Sequence, residues 1–307
     1  MYDIIGDVHG YAALLKRLLK KLGYKKNNGS YSHLTNKAIF VGDFINRGPE
    51  VRETVQIIRS MVEAGNAYAI LGNHELNALI YYLKDENKVS LGLKNISGFF
   101  KTRRDFRYYP EEWKSHRKWM RSLPLFMELD SIRIVHGCWM DDNIRYLKNE
   151  ITEGILKKKI LRQIYLQPDS PAGKSVWQTT KGLYLTLPPD LSIRNNKKAS
   201  VRSFRMKWWE PTEGKTFSDI SFESKMVLPR YTVPPEILPT FVPSPADAPL
   251  VFFGHYCRGN GPFVIKDNIC CVDSCVTGTG TLSAYTWQGE NKLLETNMVY
   301  LNMKNIL

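Results

Sequence analysis

Six short polar motifs, each directly after an apolar run, constrain this chain more than any bulk property does. They are Gly6-Asp7-Val8-His9-Gly10, Gly42-Asp43-Phe44-Ile45-Asn46-Arg47-Gly48, Gly72-Asn73-His74-Glu75, His136-Gly137, Gly254-His255 and, more weakly, Asp273 after Cys270-Cys271-Val272. The runs before them, such as Ala38-Ile39-Phe40-Val41, Ile132-Arg133-Ile134-Val135 and Val251-Phe252-Phe253, read as strands. Asp and Asn are disfavoured inside strands, whereas Asp, Asn and His all offer oxygen or nitrogen donors to divalent ions. Collected at strand ends, they point to a dinuclear metal centre.

The first 80 residues alternate strand and helix. Strand 2–6 leads into an amphipathic helix near 10–22, with Leu14, Leu15, Leu18, Leu19 and Leu22 at helical spacing. Strands 38–41 and 67–71 lead into helices near 50–64 and 74–83. This alternation predicts an α/β fold with a largely parallel sheet and right-handed crossovers. Ligands of such sheets gather beyond the carboxyl ends of the strands, where the motifs fall. Further on, the pattern predicts a helix at 111–122, strands 125–129 and 132–135 around an Asp130-Ser131 turn, and a helix at 141–165. Strands are expected at 250–253, 263–266, 269–272 and 282–287, with Gly278-Thr279-Gly280 as a loop. Residues 168–249 show little periodicity and are Pro-rich from Pro229 to Pro249, so about 150–249 reads as an irregular cap on a single domain, 1–307.

A chain of 307 residues, 43% hydrophobic, can bury a full core. No run of 18 apolar residues exists, so no membrane helix is expected. No signal peptide is read at the start, where Asp3, Lys16 and Arg17 break the apolar residues. Asn28-Gly29-Ser30 and Asn95-Ile96-Ser97 match glycosylation acceptors and, without secretion, are read as chance. The five cysteines (Cys138, Cys257, Cys270, Cys271, Cys275) are odd in number and lack paired CxxC units. They are expected to be core or near-core thiols of a cytoplasmic protein. The net charge of +13 favours anionic partners: phosphate esters, nucleotides, nucleic acid or acidic proteins.

Asp7 and His9, two residues apart at a strand end, can point to one side. Asp43 adds a carboxylate able to bridge two cations, Asn73 a neutral oxygen, and His136 and His255 imidazole nitrogens. Four of the six histidines fall in the motifs, while His33 and His116 lack such context and read as surface residues. In order and spacing the motifs resemble those of the calcineurin-like metallophosphoesterases, and within them the phosphoprotein-phosphatase branch of bacterial serine/threonine phosphatases and symmetrical diadenosine tetraphosphatases. The resemblance runs from residue 6 to 255. It implies a sandwich of two mixed β-sheets flanked by helices, and two divalent ions, with Mn first and Fe, Zn, Co or Ni as alternatives. It places Asp7, His9 and Asp43 on one ion, and Asp43, Asn73, His136 and His255 on the other. Arg47 would hold phosphoryl oxygens and His74 would protonate the leaving group, as a metal-bridging hydroxide attacks in line.

One position departs from that pattern. Asn46 stands where the family has an Asp that accepts a hydrogen bond from the catalytic histidine and stabilises its protonated form. The substitution predicts a weaker His74 acid with the metal ligands whole. A second phosphate-binding arginine is sought among Arg202, Arg205 and Arg258. Residues 99–121 interleave Lys and Arg with Phe, Tyr and Trp. Such a stretch can track nucleic acid, but the preferred reading is a helix with its aromatics in the core and its cations in water. The leading expectation is a phosphomonoesterase of protein-phosphatase type, acting on phosphopeptides or small phosphate esters. The alternatives are a nucleotide or dinucleoside-polyphosphate hydrolase, and a non-catalytic phosphate-binding protein weakened by Asn46.

Overall fold

The computed structural model describes residues 1–84, 91, 99–151, 155–188, 193–194, 200–223 and 228–306. Strand Tyr2–Ile5 runs parallel to Lys37–Phe40, and that strand parallel to Ala67–Ala69. Parallel neighbours need long crossovers, and helices Ala12–Lys21 and Val51–Glu63 supply them. Strand Thr281–Trp287 pairs antiparallel with Tyr2–Ile5, and Met298–Asn302 forms the outer edge of a five-stranded sheet. A second five-stranded sheet is centred on Leu250–Phe253, parallel to both Ile132–Val135 and Ile269–Cys271. Its edges, Val264–Lys266 and Phe126–Leu129, are antiparallel. The expected sandwich of two mixed sheets is therefore present.

The strand sequences explain why two sheets stack beneath helices. Successive side chains of a strand face opposite ways, and both faces are apolar here. Ile4, Ile39, Ile134, Phe252 and Cys270 meet in a cluster between the sheets. Their neighbours Ile5, Phe40, Val135, Phe253 and Cys271 join the larger core beneath the helices. Each fully buried large side chain contributes about 1.5–3 kcal/mol, so a polar residue on either face would be costly. The buried polar residues inside these strands, Asp3 and Ser283, are hydrogen-bonded to the Tyr24 hydroxyl and the Val272 carbonyl, and the motif residues lie where the strands stop.

Several expectations need correction. The helix expected at 141–165 is two helices, Asp141–Glu150 and Lys158–Leu166, and residues 152–154 between them lie outside the described residues. Residues 150–249 are less irregular than expected. They hold helix Pro171–Lys181, whose N-cap Ser170 accepts the Gly173 N–H, and an antiparallel pair, Tyr184–Thr186 with Ser203–Arg205. Gly278-Thr279 belongs to a short helix, Val276–Thr279, ended by Gly280 in the left-handed region at φ 72°. His116 is buried, not on the surface, because its helix turns it against Phe106 and within reach of Glu112 one turn earlier. Of the aromatics in that stretch, Phe99, Phe106, Trp113 and Trp119 are buried, as the helical reading expected, whereas Phe100, Tyr108 and Tyr109 are exposed.

The cysteines divide. Cys138, Cys270 and Cys271 are buried free thiols, whereas Cys257 and Cys275 are joined in a disulfide with Cα atoms 4.7 Å apart. The two loops after Leu250–Phe253 and Ile269–Cys271 bring that pair together, which spacing alone did not reveal. The acceptor at Asn95 lies outside the described residues. Among the described residues, no helix is long and apolar enough to cross a membrane.

Candidate metal centre

The motifs converge from the carboxyl ends of five strands. Asp7 and His9 follow Tyr2–Ile5, Asp43 follows Lys37–Phe40, and Asn73 and His74 open helix Asn73–Tyr81 after Ala67–Ala69. His136 follows Ile132–Val135, and His255 follows Leu250–Phe253. The chain turns sharply there. His9 (φ 47°), Asp43 (51°), Asn46 (68°), Arg47 (63°) and His255 (59°) all adopt left-handed conformations. Each costs a non-glycine residue about 1 kcal/mol or more. Interlocked loops hold them: the His9 N–H donates to the Asp43 carbonyl at 2.8 Å, and the Gly10 N–H to that of Phe44 at 2.9 Å.

Glu75 is the main tie, and its task was not visible in the sequence, although it ends the third motif. It is fully buried. Its Oε2 accepts the N–H groups of Asp43 (2.8 Å) and Gly72 (3.1 Å), and its Oε1 those of Phe44 (3.0 Å) and Ile45 (3.1 Å). One carboxylate thus gathers three consecutive amides of the Asp43 loop and sets Asp43 against the His74 helix. Burial and the Asp43 charge push the Glu75 carboxyl up to about 7, opposed by His136 and by the Ile45 and Asp43 amides. Tight approach also explains two motif glycines. A Cβ on Gly72 would overlap Asp43 Oδ1, and one on Gly254 would overlap Asp7 Oδ1.

Asp43 stands between two groups of donors. Its Oδ2 lies 3.7 Å from His9 Nε2 and 3.9 Å from His74 Nε2, and its Oδ1 lies 3.4 Å from His136 Nε2. Asp7 Oδ2 is 4.0 Å from His9 Nε2, and Asn73 Oδ1 is 3.1 Å from His136 Nε2. Two trios share Asp43 with their donor atoms within 4.8 Å: His9, Asp43 and His74, and Asp43, His136 and His255. The first trio includes His74, expected as a proton donor, where the sequence pointed to Asp7.

The donor chemistry fits divalent cations. His9 Nδ1 faces the Ile45 carbonyl at 3.1 Å and His136 Nδ1 the Val41 carbonyl at 2.8 Å. A proton on each Nδ1 leaves the Nε2 lone pair for a metal. His255 Nε2 is buried with no hydrogen-bond partner. The electrostatics make the same demand. Burial pushes the Asp7 carboxyl well up, reinforced by Asp273 and Asp43. Burial also opposes charge on Asp43, but His136, His74 and His9 hold its carboxyl well below the usual range. Burial works against a charged His136, yet Asp43 and Asp7 carry it to about 10. The carboxylates draw in positive charge, and the mixed nitrogen and oxygen set suits first-row divalent ions.

Above Asp43 opens a cavity of about 430 Å³. Arg47 is exposed on its wall and has no ion pair among the described residues. Arg205 also lines it, but is engaged: Nε donates to Glu223 Oε1 at 3.0 Å and Nη1 to the His255 carbonyl at 2.8 Å. Arg258 lies outside this cavity, with Nε donating to the Pro262 carbonyl at 3.0 Å, and Arg202 does not line it. Buried Asp273 does line it, accepting the Cys275 N–H at 2.7 Å, and the Cys257–Cys275 disulfide forms part of the rim.

Asn46 is held by Thr102, a partner the sequence did not suggest. The Asn46 N–H donates to Thr102 Oγ1 at 3.1 Å, and that hydroxyl donates to Asn46 Oδ1 at 2.6 Å. The amide nitrogen of Asn46 then faces His74 Nδ1 at 2.7 Å. In this orientation the Asn46 amide oxygen faces Thr102 and its nitrogen faces His74. With the amide so turned, a neutral His74 accepts at Nδ1 and carries its proton on Nε2. Burial lowers the His74 pKa to about 4, with Asp43 opposing and His9, Arg47 and His136 adding to the fall.

The chain is similar to several known proteins. It is 34% identical over 139 residues to a bis(5'-nucleosyl)-tetraphosphatase PrpE [asymmetrical] of Geobacillus sp., covering 43% of this chain and 54% of that protein. The chain spans about half the length, or less, of the first curated relatives it matches. It is also 28% identical over 296 residues to a symmetrical bis(5'-nucleosyl)-tetraphosphatase of Vibrio campbellii, covering 93% of this chain and 94% of that one. In structure it is similar to a protein serine/threonine phosphatase from Saccharomyces cerevisiae, with a TM-score of 0.50 and 14% identity over 98% of this chain and 78% of the other, a likeness of fold alone. The family model for calcineurin-like phosphoesterases matches residues 2–270, and the chain belongs to that family.

Proposed function

We propose that this chain hydrolyses the phosphoanhydride bonds of dinucleoside polyphosphates in preference to the phosphate esters of serine or threonine. This reverses the order of the two enzymatic readings taken from the sequence. The observation that carries it is the uncharged Asn46 side chain, which faces His74 Nδ1 at 2.7 Å where a carboxylate would hold a protonated ring. Position 46 offers a protonated His74 no ion pair, and burial disfavours its charge. A neutral imidazole can donate a hydrogen bond from Nε2 but is a poor source of a proton.

The leaving group decides whether that matters. An alkoxide from a phosphoserine departs badly without a proton. A nucleotide phosphate departs as a stable anion, since a phosphate monoester loses its second proton near about pH 6. The tetraphosphatase names of the relatives agree with this choice.

The remaining parts are shared by both reactions. Asp7, His9, Asp43, Asn73, His136 and His255 would hold a pair of divalent ions, for which Mn is the first candidate. When bound, such ions activate water and neutralise charge on the reacting phosphorus. Arg47 presents a planar guanidinium suited to phosphoryl oxygens. Arg205, fixed by Glu223, holds the His255 backbone in place.

The test is turnover of diadenosine tetraphosphate and a phosphoserine peptide by the Mn-loaded protein. A kcat/KM at least about tenfold higher on the anhydride, a difference of about 1.4 kcal/mol, is expected. Equal turnover, or faster turnover of the phosphopeptide, would restore the protein-phosphatase reading.

A further inference from the structure

A second concentration of positive charge lies apart from the metal centre. Helices Asn73–Tyr81, Pro110–Met120 and Lys158–Leu166 border a cavity of about 510 Å³. Among the described residues, five cations line it, namely Lys114, Arg117, Lys118, Arg121 and Lys158, against one carboxylate, that of Glu111. Glu111 is already taken, since Lys114 Nζ donates to it at 3.0 Å. Among the described residues, the other four cations have no ion pair.

Arg117 is the most telling of them. Its guanidinium stacks 3.7 Å above the Tyr82 ring, and its Nε is buried without a hydrogen-bond partner. Burial disfavours this charge, Tyr82 opposes that, and Arg121 adds like-charge repulsion. A buried N–H left without a partner is costly. Lys118 and Lys158 are exposed and Arg121 is half-buried, so their charges crowd Arg117 with no carboxylate paired to them among the described residues, and an anion in the cavity would relieve that repulsion.

We propose that this cavity is a second ligand site, which binds a small anion bearing two or more phosphoryl groups. Its volume is that of a small-molecule site. Arg117 supplies the planar fork that suits phosphate oxygens, and Lys118, Arg121 and Lys158 supply further charge. The proposal does not depend on which bond the metal centre cleaves.

Methylenediphosphonate, which has no hydrolysable bridge, is the probe. Titrated calorimetrically into the metal-loaded protein with excess Mn, it should occupy two sites, the metal centre and the cavity. The Arg117→Gln/Arg121→Gln variant should lose one site, or weaken it at least about tenfold, while keeping its turnover, which also shows that it folds. The exposed pair Lys118→Gln/Lys158→Gln should weaken the same site without disturbing the Tyr82 stack. A single site in the unaltered protein, or two unchanged sites in both variants, would overturn the proposal. So would tighter binding of an acidic peptide that displaces the diphosphonate. Site number and turnover are separate readouts, so failure here leaves the proposed reaction standing, and the reverse holds.

Discussion

Replacing Glu75 by Gln changes only an oxygen to an amide nitrogen, yet it should be among the most damaging substitutions in the chain. The two carboxylate oxygens each accept two buried backbone N–H groups, from Asp43 and Gly72 on one side and Phe44 and Ile45 on the other. A Gln side chain has one acceptor oxygen. Whichever way it turns, two amide donors then face an NH₂ group. Leaving a buried donor unsatisfied costs about 1–3 kcal/mol, so the pair costs about 2–6 kcal/mol. That is a large part of a typical total of about 5–15 kcal/mol. The loss falls on the loop that sets Asp43 between the two donor groups, so metal binding should weaken with stability. Urea unfolding of metal-free protein, with elemental analysis of the reloaded chain, measures both. A Glu75→Gln protein within about 0.5 kcal/mol of the original, retaining its metal, would refute this reasoning.

Asn46→Asp should allow His74 to carry a proton on Nδ1, and should raise turnover of alkyl phosphates by up to about 10²–10⁴-fold while changing dinucleoside polyphosphate turnover much less. Steady-state assays on both substrates decide it, and equal gains would argue against the role given to His74. His116 is buried and its pKa is held below 6.5 by burial, with Glu112 opposing. Its folded-state value lies below the unfolded one, so its stabilising contribution is present above about pH 6.5 and is lost as pH falls through the folded value. Thermal unfolding between about pH 8 and about pH 5 should therefore fall less steeply for His116→Gln than for the original protein, and parallel curves would contradict this.

Much of this layout could be read in the chain because strand interiors and strand ends use different residues. Ile4-Ile5 and Ile39-Phe40 need two apolar faces, and Asp7, Asp43, Asn73, His136 and His255 appear only after those runs stop. What escaped depends on contacts between distant segments. Glu75 reads as an ordinary first-turn acid until loop 43–45 folds onto it. Thr102 lies 56 residues from Asn46 in sequence, and nothing local marks it as a partner. Cys257 and Cys275 pair only because their loops leave neighbouring strands. Strand Met298–Asn302 was missed because an edge strand exposed on one side shows weak alternation, and the short strands within Tyr184–Arg205 are too brief to show a period.

Asp43 between two donor groups is the feature on which the chemistry rests. Elemental analysis after chelation and re-addition of Mn, with diadenosine tetraphosphate turnover followed in parallel, examines it. Two ions per chain are predicted, with turnover lost on chelation and restored on loading, and Asp43→Asn should lose both the ions and the turnover. A chelated chain that turns over at full rate, or an Asp43→Asn chain that keeps two ions and its activity, would contradict it.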